Sequence, residues 1–257
     1  IFAEYKFNSG AGDILYDQTV NANHGTIYGA TWSMMGCTDP LACNYDDQAD
    51  IDDGNCEYFS CIENDYSMLF DGVDDYIYVD INNIDNNFPS GQSDFTVSAW
   101  VNIHDLSDER IILCNSSIDH FQFAISANSR ITAMVGNSVS YSDELTWIFN
   151  EWYHVVIVRE QGDITFYRNG TYVGEYFNNS GIDRQSIYIG YRPYNNSHPF
   201  DGNIDELSIW NIALSENEVQ SYMQTPPIEN QSGMIAYYKF DHGEGNNAID
   251  YTGNRYH

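Results

Sequence analysis

Lysine is almost missing from this chain. Only Lys6 and Lys239 occur, and with nine basic against 38 acidic residues the formal charge is -29. A nucleic-acid binder carries the opposite electrostatic footprint, so that class is excluded, and an anionic membrane surface is a poor partner. Long apolar runs are missing as well: none approaches the about 18 residues that a spanning helix needs, so no membrane insertion is expected. No initiator methionine or signal-like segment precedes Ile1, so the chain is expected to be processed or excerpted. No Gly-rich phosphate loop and no Gly-x-Ser-x-Gly elbow occurs, and the histidines show no metal-binding spacing. These gaps speak against enzyme chemistry.

What is present is material for a core. Hydrophobic residues make up 42% of the chain and 21 residues are tyrosine, which excludes an acidic disordered tail. An acidic protein with a core relieves its self-repulsion with salt or bound cations. Both point outside the cell, to a secreted or cell-surface attached protein, with calcium as the expected cation. Four of the five cysteines, Cys37, Cys43, Cys56 and Cys61, fall close together. Zinc sites favour pairs two to four apart, and gaps of five and then twelve residues fit that poorly. Disulfides fit the acidic, extracellular setting better. Cys114 lies in the apolar run Arg110-Ile-Ile-Leu-Cys and reads as a buried, free thiol.

The chain repeats its opening at its end. Residues 236–257 align without a gap on residues 3–24, with ten of 22 positions identical, among them Asp17 and Asp250. Self-similarity of this kind marks a tandem array of large units. Residues 233–257 are therefore expected to begin a next repeat, after a short stiff linker at 226–232 that opens with Pro226 and Pro227.

Between Ser67 and Tyr222 the text is one of short strands and turns. Phe95–Ile103 and Trp152–Arg159 alternate as half-buried strands do. Ile164–Arg168 and Thr171–Glu175 flank Asn169-Gly170, the dipeptide that accepts positive φ at both positions of a hairpin turn. Further strands are expected at 121–126, 130–135, 186–191 and 204–210. One helix is legible after Leu214, with Ser215 as N-cap and Glu218 closing a capping box. Such a pattern predicts an all-β fold, a two-sheet antiparallel jelly-roll sandwich. Residues 36–65 break the rhythm and read as a small disulfide-stapled acidic insert, because so short a stretch cannot fold on apolar contacts alone. The sandwich is then expected from residues 1–35 plus 66–225.

The ordered landmarks Ala3-Glu-Tyr-Lys-Phe, Asn23-His24-Gly25, Leu69-Phe-Asp-Gly-Val-Asp-Asp-Tyr, Glu151-Trp-Tyr-His and Phe200-Asp-Gly-Asn-Ile-Asp-Glu-Leu resemble a concanavalin A-like, laminin-G-like jelly-roll domain. The insert, Gly36-Cys-Thr-Asp-Pro through Asp52-Asp-Gly-Asn-Cys56, resembles a short Cys-rich repeat of secreted, often marine bacterial surface proteins. Many relatives would carry a cysteine where this chain has Ile51. Of three possible pairings in the insert, Cys37–Cys56 with Cys43–Cys61 is the favoured one. The glucanases that share this fold need closely spaced carboxylates along one strand. No Glu-x-Asp-x-x-Glu pattern occurs, and the adjacent Asp205 and Glu206 would point to opposite faces of a strand.

Three candidate sites follow. The resemblance implies that the Asp17 loop and the penultimate strand meet at one rim, where Asp17, Asn21, Asn23 and Asp205 would offer oxygens to calcium. In the insert, Asp39, Asn44, Asp46, Asp50, Asp52 and Asp53 crowd a loop that echoes an EF-hand but lacks its closing Glu. Trp32, Trp147, Tyr191 and Tyr194, with Tyr141 and Phe200, lie in or beside expected loops where an aromatic face could stack on a sugar. The function expected is a non-catalytic extracellular adhesion or recognition module of a large repetitive surface protein. It is expected to be calcium-stabilised, with a glycan or cell-surface ligand and neighbouring repeats as partners. A purely structural stalk or fibre repeat is the alternative, and a carbohydrate-binding appendage of a polysaccharide-degrading enzyme is the second alternative.

Overall fold

The protein is described as a computed structural model, over residues 1–40, 42, 44–56, 66–80, 89–115, 121–193, 197–228 and 231–252. Its contacts divide the chain into two units, residues 1–57 and 58–257. This differs from the expected boundaries. Residues 1–35 group with the Cys-rich stretch, while residues after 232 supply a strand to the sandwich.

The first unit has little to bury: among its described residues only Asp17, Cys37 and Ala42 are buried. Its strands are correspondingly short. β1 (Ile14–Leu15) pairs antiparallel with β2 (Gly25–Thr26), and β3 (Met35–Gly36) pairs parallel with β4 (Ile51–Asp52). A Cys37–Cys56 disulfide, with sulfurs 2.02 Å apart, ties the ends of the acidic stretch. Cys43 and Cys61 lie outside the described residues.

The second unit begins with β5 (Met68–Asp71), β6 (Ile77–Val79), β7 (Phe95–Ile103), β8 (Arg110–Asn115), β9 (Phe121–Ile125), β10 (Ile131–Val135) and β11 (Ser138–Tyr141). It continues through β12 (Trp152–Glu160), β13 (Asp163–Arg168), β14 (Thr171–Phe177), β15 (Ile187–Ile189), β16 (Asp201–Trp210), the helix α1 (Glu216–Gln224) and β17 (Met234–Tyr238). Two antiparallel sheets result. One runs β11-β10-β9-β8-β15-β6; the other runs β14-β13-β12-β7-β16-β17, with β5 also paired to β16. This is the expected jelly-roll-like sandwich. Its main core takes alternate residues of the facing strands, such as Phe95, Val97, Ala99 and Val101 on β7 and Val155 and Ile157 on β12.

The second face of β7 is covered too, where alternation led us to expect solvent. Leu214, just before α1, and Val219 on it pack with Val156, Val158 and Trp210, and β17 adds Met234 and Tyr237. The polar residues on that face are therefore buried and must find partners. The Thr96 hydroxyl donates to the Ile212 carbonyl and accepts from the Leu214 amide. Ser98 Oγ lies 2.7 Å from His154 Nε2, and burial pushes that histidine down to about 3, so it is neutral. The helix cap is as expected: Ser215 accepts from the Glu218 amide, and Glu218 accepts from the Ser215 amide. The Asn169-Gly170 turn has φ values of 48° and 71°. Cys114 is a buried free thiol, pushed up to about 12 by burial.

One irregularity matters for stability. Between Asp205 and Ser208 the β16–β7 register shifts, and Glu206 takes φ 47°. This bulge breaks the strict alternation expected for the Asp205-Glu206 pair, so both side chains are buried. Burial raises Glu206 from its ordinary 4.5 to about 7; Asp241 adds to this, while the Tyr237 hydroxyl, which donates to it, and Lys239 oppose it. Between these two values the folded state holds a proton that the unfolded chain releases, so stability falls as pH rises from about 4.5 to 7. Glu206→Gln keeps an acceptor for Tyr237 without a charge. Urea titration should find it more stable than the parent at pH 8 by about 1–3 kcal/mol, with the gap closing near pH 4. In non-reducing peptide maps Cys37 should be recovered joined to Cys56, and Cys114 as a thiol.

Candidate functional site

β6 and β15 pair so that Tyr78 lies opposite Tyr188. Ile77, Val79, Ile187 and Ile189 point into the core, so the tyrosines of these strands face outward. Tyr76, one strand period before Tyr78, and Tyr191, just past β15, extend the group. Ring centroids lie 5.1 Å apart for Tyr78–Tyr188, 5.5 Å for Tyr76–Tyr188 and 5.7 Å for the stacked Tyr76–Tyr191 pair. Such contacts fix the rings. Tyr76 and Tyr78 remain 54% and 45% exposed, so each still offers surface to a ligand. The Tyr78 hydroxyl donates to Ser186 Oγ, which donates to Asp80. Burial, and the neighbouring Tyr78 and Tyr76, push Tyr188 above the ordinary phenol range, which keeps it a neutral donor.

Of these rings, Tyr76 and Tyr78 line one side of a cleft of about 630 Å³. Tyr66 also lines the cleft. The other side is the stretch after β17, which presents His242, Asn246 and Asn247. Tyr66 lies so close over Gly243 that a Cβ there would sit 2.6 Å from its ring, and Gly243 has φ 65°, so no other residue fits that place without strain. His242 Nδ1 is 3.1 Å from the Tyr251 hydroxyl. A cleft with aromatic walls and a few amide and imidazole groups suits a ligand that has apolar faces and many hydroxyls.

The turn between β5 and β6 leads straight into Tyr76 and is acidic. Asp71, Asp74 and Asp75 bring one oxygen each within 4.8 Å of one another, and among the described residues they are the acids, histidines and cysteines that converge so. Asp75 Oδ2 accepts from the Asp71 amide and Asp71 Oδ1 from the Val73 amide. The run Asp71-Gly-Val-Asp-Asp-Tyr was legible as a fold landmark, but nothing in its spacing distinguished it from other acidic turns. Tyr76, Tyr78 and Tyr66 were likewise missed among 21 tyrosines, because the signal is a cross-strand pairing that single-strand text does not show.

The residues singled out from sequence are placed as follows. Asp17 is buried and accepts four hydrogen bonds: Oδ1 from the amides of Glu4 and Thr19, Oδ2 from the Thr19 hydroxyl and the Asn23 amide. Desolvation disfavours its ionised form, but these bonds outweigh it and hold the carboxyl well below the usual range. The carboxylate's acceptor sites are thus taken up by the chain itself. Asn21 and Asn23 both donate from Nδ2 to the Phe2 carbonyl. Asp205, in the second unit, accepts from the Glu206 amide. In the insert, Asp46, Asp52 and Asp53 each accept from a backbone amide of the stretch, Asp50 accepts from the Met34 amide just before it, and Asn44 donates to the Asn55 carbonyl. The Asp39 carbonyl accepts from the Ala42 amide. These acids therefore shape turns.

Of the aromatic candidates, Tyr191 belongs to the tyrosine cluster but is only 8% exposed and serves to back Tyr76. Trp147 donates to the Ser129 carbonyl, meets Tyr153 edge-on and has the Arg168 guanidinium over its ring, so its face is occupied. Trp32, in the first unit, donates to the Gly12 carbonyl. Phe200 is fully buried against Phe70, and Tyr141 sits between Tyr176 and Arg130. Tyr194 lies outside the described residues.

Comparison with known proteins bears on this site through the fold. A protein from Bacteroides ovatus described as a candidate carbohydrate-binding protein superposes with a TM-score of 0.59 at 22% identity, covering 74% of this chain. The chain spans 57% of that protein's length. Domain 4 of an extracellular arabinanase from Geobacillus stearothermophilus, in complex with arabinotriose, gives 0.45 at 18% identity, over 60% of this chain and 87% of that one. The carbohydrate-binding module of a Ruminococcus gnavus sialidase, bound to α2,3-sialyllactose, gives 0.47 at 11% identity, over 62% and 97%. No curated protein sequence matches the chain. The family model for laminin-G-like domains of the concanavalin A-like lectin/glucanase superfamily matches residues 71–220, more than half of the sequence and nearly all of the sandwich. The chain therefore belongs to the concanavalin A-like lectin/glucanase superfamily.

Proposed function

We propose that this protein is a non-catalytic glycan-binding module of an extracellular, repetitive surface protein, and that it binds sugar in the cleft between Tyr76–Tyr78 and the stretch after β17. The observation that carries this reading is the cleft itself: about 630 Å³ with exposed tyrosine rings on one wall and Asn246, Asn247 and His242 on the other. Aromatic faces pack on the C–H faces of a pyranose, and carboxamides bond to its hydroxyls in both directions. The likeness to the Bacteroides ovatus protein supports the class of ligand. A structural stalk repeat is the second reading, favoured by the recurrence of the opening residues at the end of the chain.

Calcium belongs to the same reading. Asp71, Asp74 and Asp75 are the acids placed to take it, and a hard cation there would neutralise repulsion at the foot of the tyrosine wall. Asp17 suits it less, with its oxygens already taken. The three acids lie outside the buried core, so the cation would stabilise the fold by binding the folded state alone.

Two measurements test this. A glycan array with and without calcium should return hits that Tyr76→Ala weakens about tenfold, on the order of 1.4 kcal/mol, at an unchanged circular dichroism spectrum. An array without hits, or hits that survive both Tyr76→Ala and Tyr78→Ala, favours the stalk. A site filled at about a hundredfold its Kd contributes about 2.7 kcal/mol. Chelation should then lower the melting temperature by several degrees in the parent and hardly at all in Asp74→Asn/Asp75→Asn; superimposable curves would remove calcium from the account.

A further inference from the structure

The two copies of the repeated segment are folded alike. In the second, Asp250 Oδ1 accepts from the amides of Tyr237 and Thr252, at 3.0 and 2.9 Å, and Oδ2 accepts from the Thr252 hydroxyl at 2.8 Å. In the first, Asp17 Oδ1 accepts from the amides of Glu4 and Thr19 at 3.0 and 2.9 Å, and Oδ2 from the Thr19 hydroxyl at 2.8 Å. The positions correspond one for one under the sequence alignment. So do the bridges Tyr5 to Asp17 and Tyr238 to Asp250, and the amides of Gln18 and Tyr251, which both donate at 2.8 Å to the carbonyls of Glu4 and Tyr237.

Their surroundings differ. The second copy is a strand of the sandwich: β17 pairs with β16 at Tyr238↔Leu207, Tyr237↔Ser208 and Ala236↔Ile209. Met234, Ile235, Tyr238 and Phe240 are at most 8% exposed. Their counterparts in the first copy, Ile1, Phe2, Tyr5 and Phe7, are 97%, 81%, 37% and 67% exposed. A segment that already holds the same turn contacts, with its apolar residues at the same positions and largely exposed, is suited to an open β16 edge.

We propose that residues 1–24 are a closing strand for the β16 edge of a second copy of this sandwich, so that copies join by strand exchange. Ala3 then takes the place of Ala236 opposite Ile209, and Tyr5 that of Tyr238 opposite Leu207. One substitution works against the exchange. Glu4 falls where Tyr237 donates its hydroxyl to the buried Glu206, and two carboxylates would meet in a dry place. In the intact chain the edge therefore keeps its own β17, and exchange needs an edge that β17 has left.

The test uses full-length chains. An acceptor carries Ile235→Asp and Tyr238→Asp, which expel β17, together with Ile209→Cys. A donor carries Ala3→Cys. Residues directly opposite on paired strands are close enough for a disulfide. Mixed under mild oxidation, the two should give a donor–acceptor dimer at least tenfold faster than a donor with Val20→Cys, a fully exposed position outside the strand. Equal rates for the two donors, or no mixed dimer, would overturn the proposal. Should the acceptor fail to fold alone, a synthetic peptide of residues 1–28 decides. It should restore the acceptor's melting transition, more strongly with Glu4→Tyr, whereas a peptide of the same composition in scrambled order should not. Equal action of the ordered and scrambled peptides, or of neither, counts against the exchange.

Discussion

The outer edge of β16 is the constraint on which the rest of the sandwich depends. β16 is ten residues long and is held on its inner side by β7. Its outer side is too long for either neighbour alone: β5 covers Asp201–Ile204, and β17 covers Leu207–Trp210. The bulge at Glu206 falls at the junction between them. An uncovered half of this edge would leave a row of backbone donors and acceptors unpaired, and would uncover Leu207, Ile209 and Trp210 as well. Both strands that cover it lead directly into the candidate site. β5 runs into the acidic turn and Tyr76, and β17 runs into His242 and Asn246. The cleft is therefore a by-product of closing the sheet.

Closing the sheet brings acid into the interior. Asp205 and Glu206 are buried in a chain already carrying a charge of -29, and Lys239, one of its two lysines, lies over the rings of Tyr237 and Tyr251. The Tyr237 hydroxyl gives Glu206 a donor, and the partial neutralisation of Glu206 near pH 7 removes charge that the site cannot solvate. A tyrosine at position 237 thus does what a basic residue would do in a less acidic protein. The first copy of the segment, with Glu4 at the same place, could not.

Much of the sandwich was legible in the sequence because its signals are local. The Asn169-Gly170 turn, the Ser215 capping box and the alternation of β7 and β12 each lie within a few residues. The half-exposed reading of β7 failed because the cover on its outer face comes from α1 and β17, more than a hundred residues away. The recurrence at 236–257 was visible, yet which copy seals the β16 edge is a matter of pairing that similarity alone leaves open. The candidate site was legible only in part: its class of residue was foreseen, aromatic rings and acids near loops, but the rings named were mostly those with faces already covered. Tyr76 and Tyr78 stand out only when β6 is laid beside β15.

The central claim is that the segment closing the β16 edge is also a wall of the binding cleft. Amide hydrogen exchange with and without a saturating oligosaccharide measures this most directly. The account predicts that sugar slows exchange in residues 242–251 and 66–78 together, with β17 already protected in its absence. Protection confined to other faces of the sandwich, or rapid exchange across 234–238 in the free protein, would contradict it.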